Sequence, residues 1–246
     1  MFPSTLSVGT TESLHASTLL RNLDGGVQGG VKPDALKGSL SPSLVDDLRR
    51  FERNGIQTEL IEVVAAPSLR HSSNLLVRLE YGAHELPLTL FPAQRLMYCP
   101  LVLPQLLSLR LTDLFVLGVQ PAGRDHSADP GGHPIDAWDD RTLFASLDLL
   151  SWDLAMRGAR SELLPEIPAQ AAFRIPPGVS LQGFDINGTI TAALHRLKRG
   201  AVNLKDISAW AGFDRERAMR LLNALYLQSA LMATRTPPAA GGDAWS

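Results

Sequence analysis

The chain has 246 residues, 45% hydrophobic and 20% charged, a globular composition that excludes a disordered or fibrous protein and fits one large domain or two modest ones. Its single cysteine, Cys99, excludes an intramolecular disulfide framework. The net charge of −2 is uneven: Ile186 to Thr236 holds eight basic and three acidic residues, net +5, so the remainder carries −7. This asymmetry suits a basic module that meets a polyanion or an acidic protein face.

No uncharged run reaches the ~18 residues a membrane helix needs. Met1-Phe2-Pro3-Ser4 lacks the basic start and apolar core of a signal peptide, so a cytoplasmic protein is expected. Residues 1–40 resist assignment beyond a short helix over Ser13–Asn22. The glycines of Asp24-Gly25-Gly26-Val27-Gln28-Gly29-Gly30 suggest a phosphate loop, but Val31-Lys32-Pro33 follows instead of Lys-Ser/Thr. No hydrophobic strand precedes Asp24 either. A flexible loop is the expectation.

A helix is expected from Ser41, which can cap it, with Pro42 at its first position, Asp46 and Asp47 toward its positive end, and Gly55 as its stop. Leu44, Leu48 and Phe51 share its buried face. Gln57–Val64 is rich in β-branched residues and reads as a strand. Leu75, Val77 and Leu79 alternate with Arg78 and Glu80, a half-buried strand. Tyr81-Gly82-Ala83-His84 turns into Leu86–Leu90, where Pro87 argues for an edge. Arg95–Tyr98 adds a short strand, Leu101–Ser108 a helix and Leu114–Val119 a last strand. Cys99, next to Pro100, reads as a small buried hydrophobe. Consecutive strands with tight turns predict an antiparallel β-meander with flanking helices, an α+β domain over 41–120.

Gly38-Ser39-Leu40-Ser41, the helix through Phe51, Gly55-Ile56-Gln57-Thr58 and the run Leu88-Thr89-Leu90-Phe91-Pro92-Ala93-Gln94-Arg95-Leu96-Met97-Tyr98 together resemble the PATAN-type domain. The resemblance spans residues 38–98 and implies a protein-interaction module of bacterial signalling proteins. This chain departs from the pattern at Pro92-Ala93-Gln94, where members carry an acid-glycine turn, and by an insertion around Pro67–Ser73.

Residues 121–140 read as an acidic Pro/Gly linker. Its Asp125, His126, Asp129, His133, Asp136, Asp139 and Asp140 could ligate a divalent metal, but they lie in a segment with no core to hold them rigid. Residues 141–180 supply a connecting helix, Arg141–Arg157, with Leu143, Leu147, Leu150 and Leu154 buried, and a Pro/Ala-rich irregular segment over 162–177. No HExxH, paired CxxC or Gly-x-Ser-x-Gly occurs, and His84 and His195 stand alone. No catalytic residue, metal site or cofactor is expected.

The final segment, 187–236, is the most legible, and a disordered tail is expected over 237–246. Thr189 can cap a first helix with Ile190, Ala193, Leu194 and Leu197 inward, stopped by Gly200. Asn203 can cap a second with Leu204, Ile207 and Trp210 inward, ended by Gly212. Asp214 can cap a third, whose Ala218, Leu221, Leu222, Leu225 and Ser229 share one side. Leu231–Thr236 reads as a strand. The layout resembles a winged helix-turn-helix, which implies a domain that binds DNA or another protein.

The third helix is expected to present Glu216, Arg217, Arg220, Asn223, Ala224 and Leu227 outward. Arg and Asn suit guanine and adenine edges, so Arg217, Arg220 and Asn223 fit a recognition helix. Glu216 among the arginines, the apolar Ala224 and Leu227, and the lack of a basic wing favour a protein partner instead. The sequence therefore predicts a non-enzymatic bacterial regulatory or signalling adaptor that binds a protein through Arg217, Arg220, Asn223 and Leu227. A DNA-binding transcriptional regulator using the same helix is the alternative.

Overall fold

Alternating apolar residues form the hairpin at the centre of the fold. Strands β1 (Leu75–Tyr81) and β2 (His84–Phe91) pair antiparallel from Leu75↔Leu90 to Tyr81↔His84. Leu75, Val77 and Leu79 are buried opposite Leu90, Leu88 and Leu86, and each side chain of this size contributes about 1.5–3 kcal/mol when buried. Gly82 opens the two-residue turn at φ 60, where only glycine is free of a steric cost. The computed structural model describes residues 41–69, 73–122, 143–184 and 186–234. The expected glycine-rich loop, the metal-ligating residues of the linker and the C-terminal tail lie outside them.

Strand β3 (Leu96–Tyr98) extends the sheet beyond β2, β4 (Phe115–Pro121) flanks β1, and β5 (Phe144–Ser146) flanks β3. The order is β4-β1-β2-β3-β5, antiparallel throughout. Pro87 is therefore not on an edge strand. It is tolerated because β3 covers only Thr89–Phe91, so the missing N–H removes no bond to β3. Nor is β4 the last strand of the sheet. Residues 144–146, expected as the first turn of a helix, complete it.

Helix α1 (Pro42–Asn54) starts where Ser41 Oγ accepts from the Leu44 N–H at 3.3 Å and ends at Gly55, φ 51. The strand expected over 57–64 is instead a 3-10 turn (Gly55–Gln57) and helix α2 (Leu60–Leu69). Leu60, Ile61, Val63, Val64, Ala65 and Ala66 are all buried. An apolar run covered on every side has no periodicity to reveal its class, and packing overrides β-branched propensity. After α3 (Leu103–Ser108), α4 (Leu147–Arg157) begins at the cap Ser146 and lies against α2 and α3.

The segment expected to be irregular contains β6 (Ala172–Arg174) and the buried Leu164, Ile167, Phe173 and Ile175. Helix α5 (Gly188–Arg199), β7 (Val202–Asn203), α6 (Leu204–Ser208), α7 (Arg215–Leu227) and β8 (Met232–Thr234) follow. Asn187, not Thr189, caps α5: its Oδ1 accepts from the Ile190 N–H at 3.1 Å. β6 lies between β7 and β8 in a small antiparallel sheet. Trp152 of α4 stacks on Phe184 at 4.7 Å, and one apolar core runs through both sheets. The fold is mixed α+β. No helix among the described residues is long and apolar enough to cross a membrane.

Cys99 is buried behind β3. Burial pushes its thiol pKa up, while the Leu101 N–H, 3.5 Å from Sγ, pulls it partly back.

Two glycines distinguish packing from backbone freedom. The Gly158 N–H donates to the Leu154 carbonyl at 2.9 Å, and a Cβ there would meet that oxygen at 2.3 Å. Gly200 has extended backbone and open space around it. Gly158→Ala should destabilise by about 1–3 kcal/mol, and Gly200→Ala should be neutral or stabilise by about 0.4–1 kcal/mol. Urea unfolding of the two variants checks the contrast.

Candidate functional site

The third helix of the C-terminal segment, α7, starts from a fixed turn. Gly212 takes φ 77 between α6 and α7, and Asp214 Oδ1 caps the helix by accepting from the Arg217 N–H at 2.7 Å. The Arg217 side chain folds back over this turn. Nη1 donates to the Gly212 carbonyl at 2.7 Å, Nη2 donates to Thr189 Oγ1 at 2.9 Å, and the guanidinium lies 5.3 Å from the Phe213 ring centre. Arg217 thus braces α7 against the start of α5. Both bonds are made at the surface of the turn, where the side chain is half-buried.

Further along, the face expected to be outward is enclosed. Arg220 Nε donates to Glu216 Oε1 at 2.9 Å, and Nη1 donates to the Gly158 carbonyl at 2.8 Å. Its side chain is 16% exposed against 54% for Glu216. Asn223 is fully buried: Oδ1 accepts from the Leu164 N–H at 2.9 Å and Nδ2 donates to the Glu162 carbonyl at 2.8 Å. Ala224 and Leu227 are buried as well, at 0% and 3% exposure.

The expected outer surface of Arg220, Asn223, Ala224 and Leu227 is thereby corrected. The apolar positions that suggested a partner protein contact α4 of the same chain, where Gln228 Nε2 also donates to Ser151 Oγ at 2.9 Å. Ser229, expected inside, is exposed beyond the helix end with φ 53. Trp210 is half-buried rather than in the core, with Arg196 5.1 Å from its ring centre.

Arg160 was not marked by any sequence signal. Nη1 lies 2.6 Å from Glu59 Oε2 and 2.8 Å from Glu62 Oε1, while Nε and Nη2 donate to the Glu162 and Leu163 carbonyls. Together with Arg220 and Asn223 it holds residues 158–164 between α2 and α7. Hydrogen bonds to charged groups are the strong ones, about 1.5–3 kcal/mol each. At the start of α4, Arg95, at φ 53, holds Asp148 with both guanidinium branches, Nε at 2.9 Å.

The charges left outward belong to other positions. Arg215 and Glu216 are exposed at the start of α7, and His195, Arg196, Lys198 and Arg199 are exposed on α5. Phe115 and Leu117 are exposed on β4. Among the described residues no three His, Cys, Asp or Glu side chains come together as metal ligands. His84 and His195 are exposed and remote from any such group.

No protein-family model matches the chain, and no curated protein or solved structure gives a significant match.

If α7 is a brace, its substitutions act on stability. Asn223→Ala strands the Leu164 N–H and Glu162 carbonyl and should cost about 1–3 kcal/mol. Leu227→Ala should cost about 2–5 kcal/mol, and Arg215→Ala should stay within about 0.5 kcal/mol. Chemical unfolding followed by tryptophan fluorescence measures all three.

Proposed function

We propose that this protein is a non-enzymatic bacterial regulatory or signalling adaptor of the cytoplasm, which binds a partner protein through its C-terminal, winged-helix-like module. The order helix, strand, helix, helix, strand, with β7 and β8 flanking β6, supports the winged-helix reading. The PATAN-like character of 38–98 supports a signalling context.

The observation that carries the proposal is the complete burial of Asn223 together with the internal bonds of Arg217 and Arg220. A recognition helix must offer such side chains to base edges in the major groove. Here they are bonded to backbone carbonyls and a threonine, which weighs against the DNA-binding regulator. The contact surface of the adaptor accordingly moves from α7 to the outward face of α5. His195, Lys198 and Arg199 are exposed there in a segment of net charge +5. Partner contacts of this kind draw specificity and association rate from complementary charge.

Two measurements test the reading. Mixed genomic DNA fragments should not be retarded by the purified chain even at ~50 mM salt, where phosphate contacts are strongest. Affinity capture from a bacterial lysate should enrich a protein that the double variant Lys198→Glu, Arg199→Glu loses. Retarded DNA, or the same captured proteins with and without the charge reversal, would sink it.

A further inference from the structure

The outward face of α5 borders a groove. Val179, Leu181, Ile186 and Leu194 give it an apolar floor, His195 and Lys198 stand on its α5 wall, and its volume is about 440 Å³. Among the described residues that line it none is acidic. The volume is that of a ligand site, but the groove is open rather than enclosed.

The α5 wall of the groove is fixed by its own bonds. Asn187 caps α5 beside Ile186, and the Ile175 N–H donates to the Leu197 carbonyl at 3.0 Å. The Thr191 hydroxyl donates to the Asn187 carbonyl at 3.0 Å, which leaves its oxygen only as an acceptor toward a ligand. No hydrogen bond or ion pair with another described residue engages Lys198. Its ammonium is free to pair with an incoming anion.

We propose that this groove docks an acidic peptide segment of a partner protein, with one apolar side chain on the floor and a neighbouring carboxylate against Lys198. The proposal rests on the adaptor reading and names where the partner binds and its chemistry. Charge complementarity selects the occupant. The segment from Ile186 to Thr236 is net +5, and its field attracts an acidic chain before contact. A nucleic-acid backbone supplies the anion but no aliphatic group for the floor. A peptide supplies both, and an open groove accepts a chain that enters and leaves along it.

The test uses the full chain and fluorescence anisotropy with three labelled peptides of about ten residues. The first carries one Leu flanked by Asp and Glu, the second replaces the acids with Lys, and the third replaces the Leu with Ser. The first should bind saturably, and the other two at least about tenfold more weakly. Lys198→Glu should weaken the first by about tenfold. Thr191→Trp, from an exposed helix position, should fill the groove and abolish binding while the circular dichroism spectrum is unchanged.

Absence of binding, equal binding of the Ser peptide, or binding indifferent to Thr191→Trp overturns the groove. Preference for anionic phosphatidylglycerol vesicles or DNA over the first peptide does so too. A partner captured equally by wild type and Thr191→Trp overturns the groove but leaves the adaptor reading standing. Saturable peptide binding by a chain that captures no partner supports the groove and removes the adaptor reading.

Discussion

Asn223 bonds to Glu162 and Leu164 inside a contact between α4 and α7 that has almost no exposed surface. A buried amide left unpaired is costly, so this side chain permits one placement of the 158–164 segment and penalises others. Arg220 and Gln228 repeat the logic at either end, on Gly158 and on Ser151. Ala155 of α4 and Ala218 and Ala224 of α7 are small enough for close packing of this region. Helix α4 meets α2, α3, β3 and β5 on its other sides. The position of the whole C-terminal segment therefore follows from how α7 lies on it.

This arrangement separates the order of helices in the C-terminal segment from the use that the sequence pattern suggests. Arg217 fixes the turn, Arg220 fixes the end of α4, and both guanidinium groups are engaged within the chain. A fold supplies surfaces, and the side chains on them decide the use. In this chain the surfaces left over are the cationic wall of α5 with its apolar groove, and the β4 edge bearing Phe115 and Leu117. The first combines charge with an apolar floor.

The sequence shows the elements that are amphipathic and conceals those that are not. Leu75, Val77 and Leu79 disclose β1 by period two, and Ser41, Asn203 and Asp214 disclose helix starts by capping chemistry. Val63 and Val64 disclose nothing, because a helix covered all round presents the same apolar run as a buried strand. Helix α7 falls between these cases. Its inner stripe is legible, but Ala224 and Leu227 fit either an intermolecular or an intramolecular contact, and only tertiary placement chose the second. Phe173 and Ile175 were hidden by surrounding prolines and alanines, since three-residue strands leave no period to read. The groove was illegible for a different reason: its floor joins a loop to a helix, and neither alone shows a pattern.

The crossing of the two sheets by the chain has one more consequence. β5 returns after residues 123–142 to complete the first sheet, and β6 precedes the helices whose strands it joins. With α4 rooted beside β5 and gripped by α7, the two halves share one apolar interior instead of meeting at a polar seam. Domains joined by a modest polar interface swing relative to each other, whereas a large apolar interface suppresses that motion. The described halves are thus joined through buried side chains contributed by both, the kind of contact that resists relative motion.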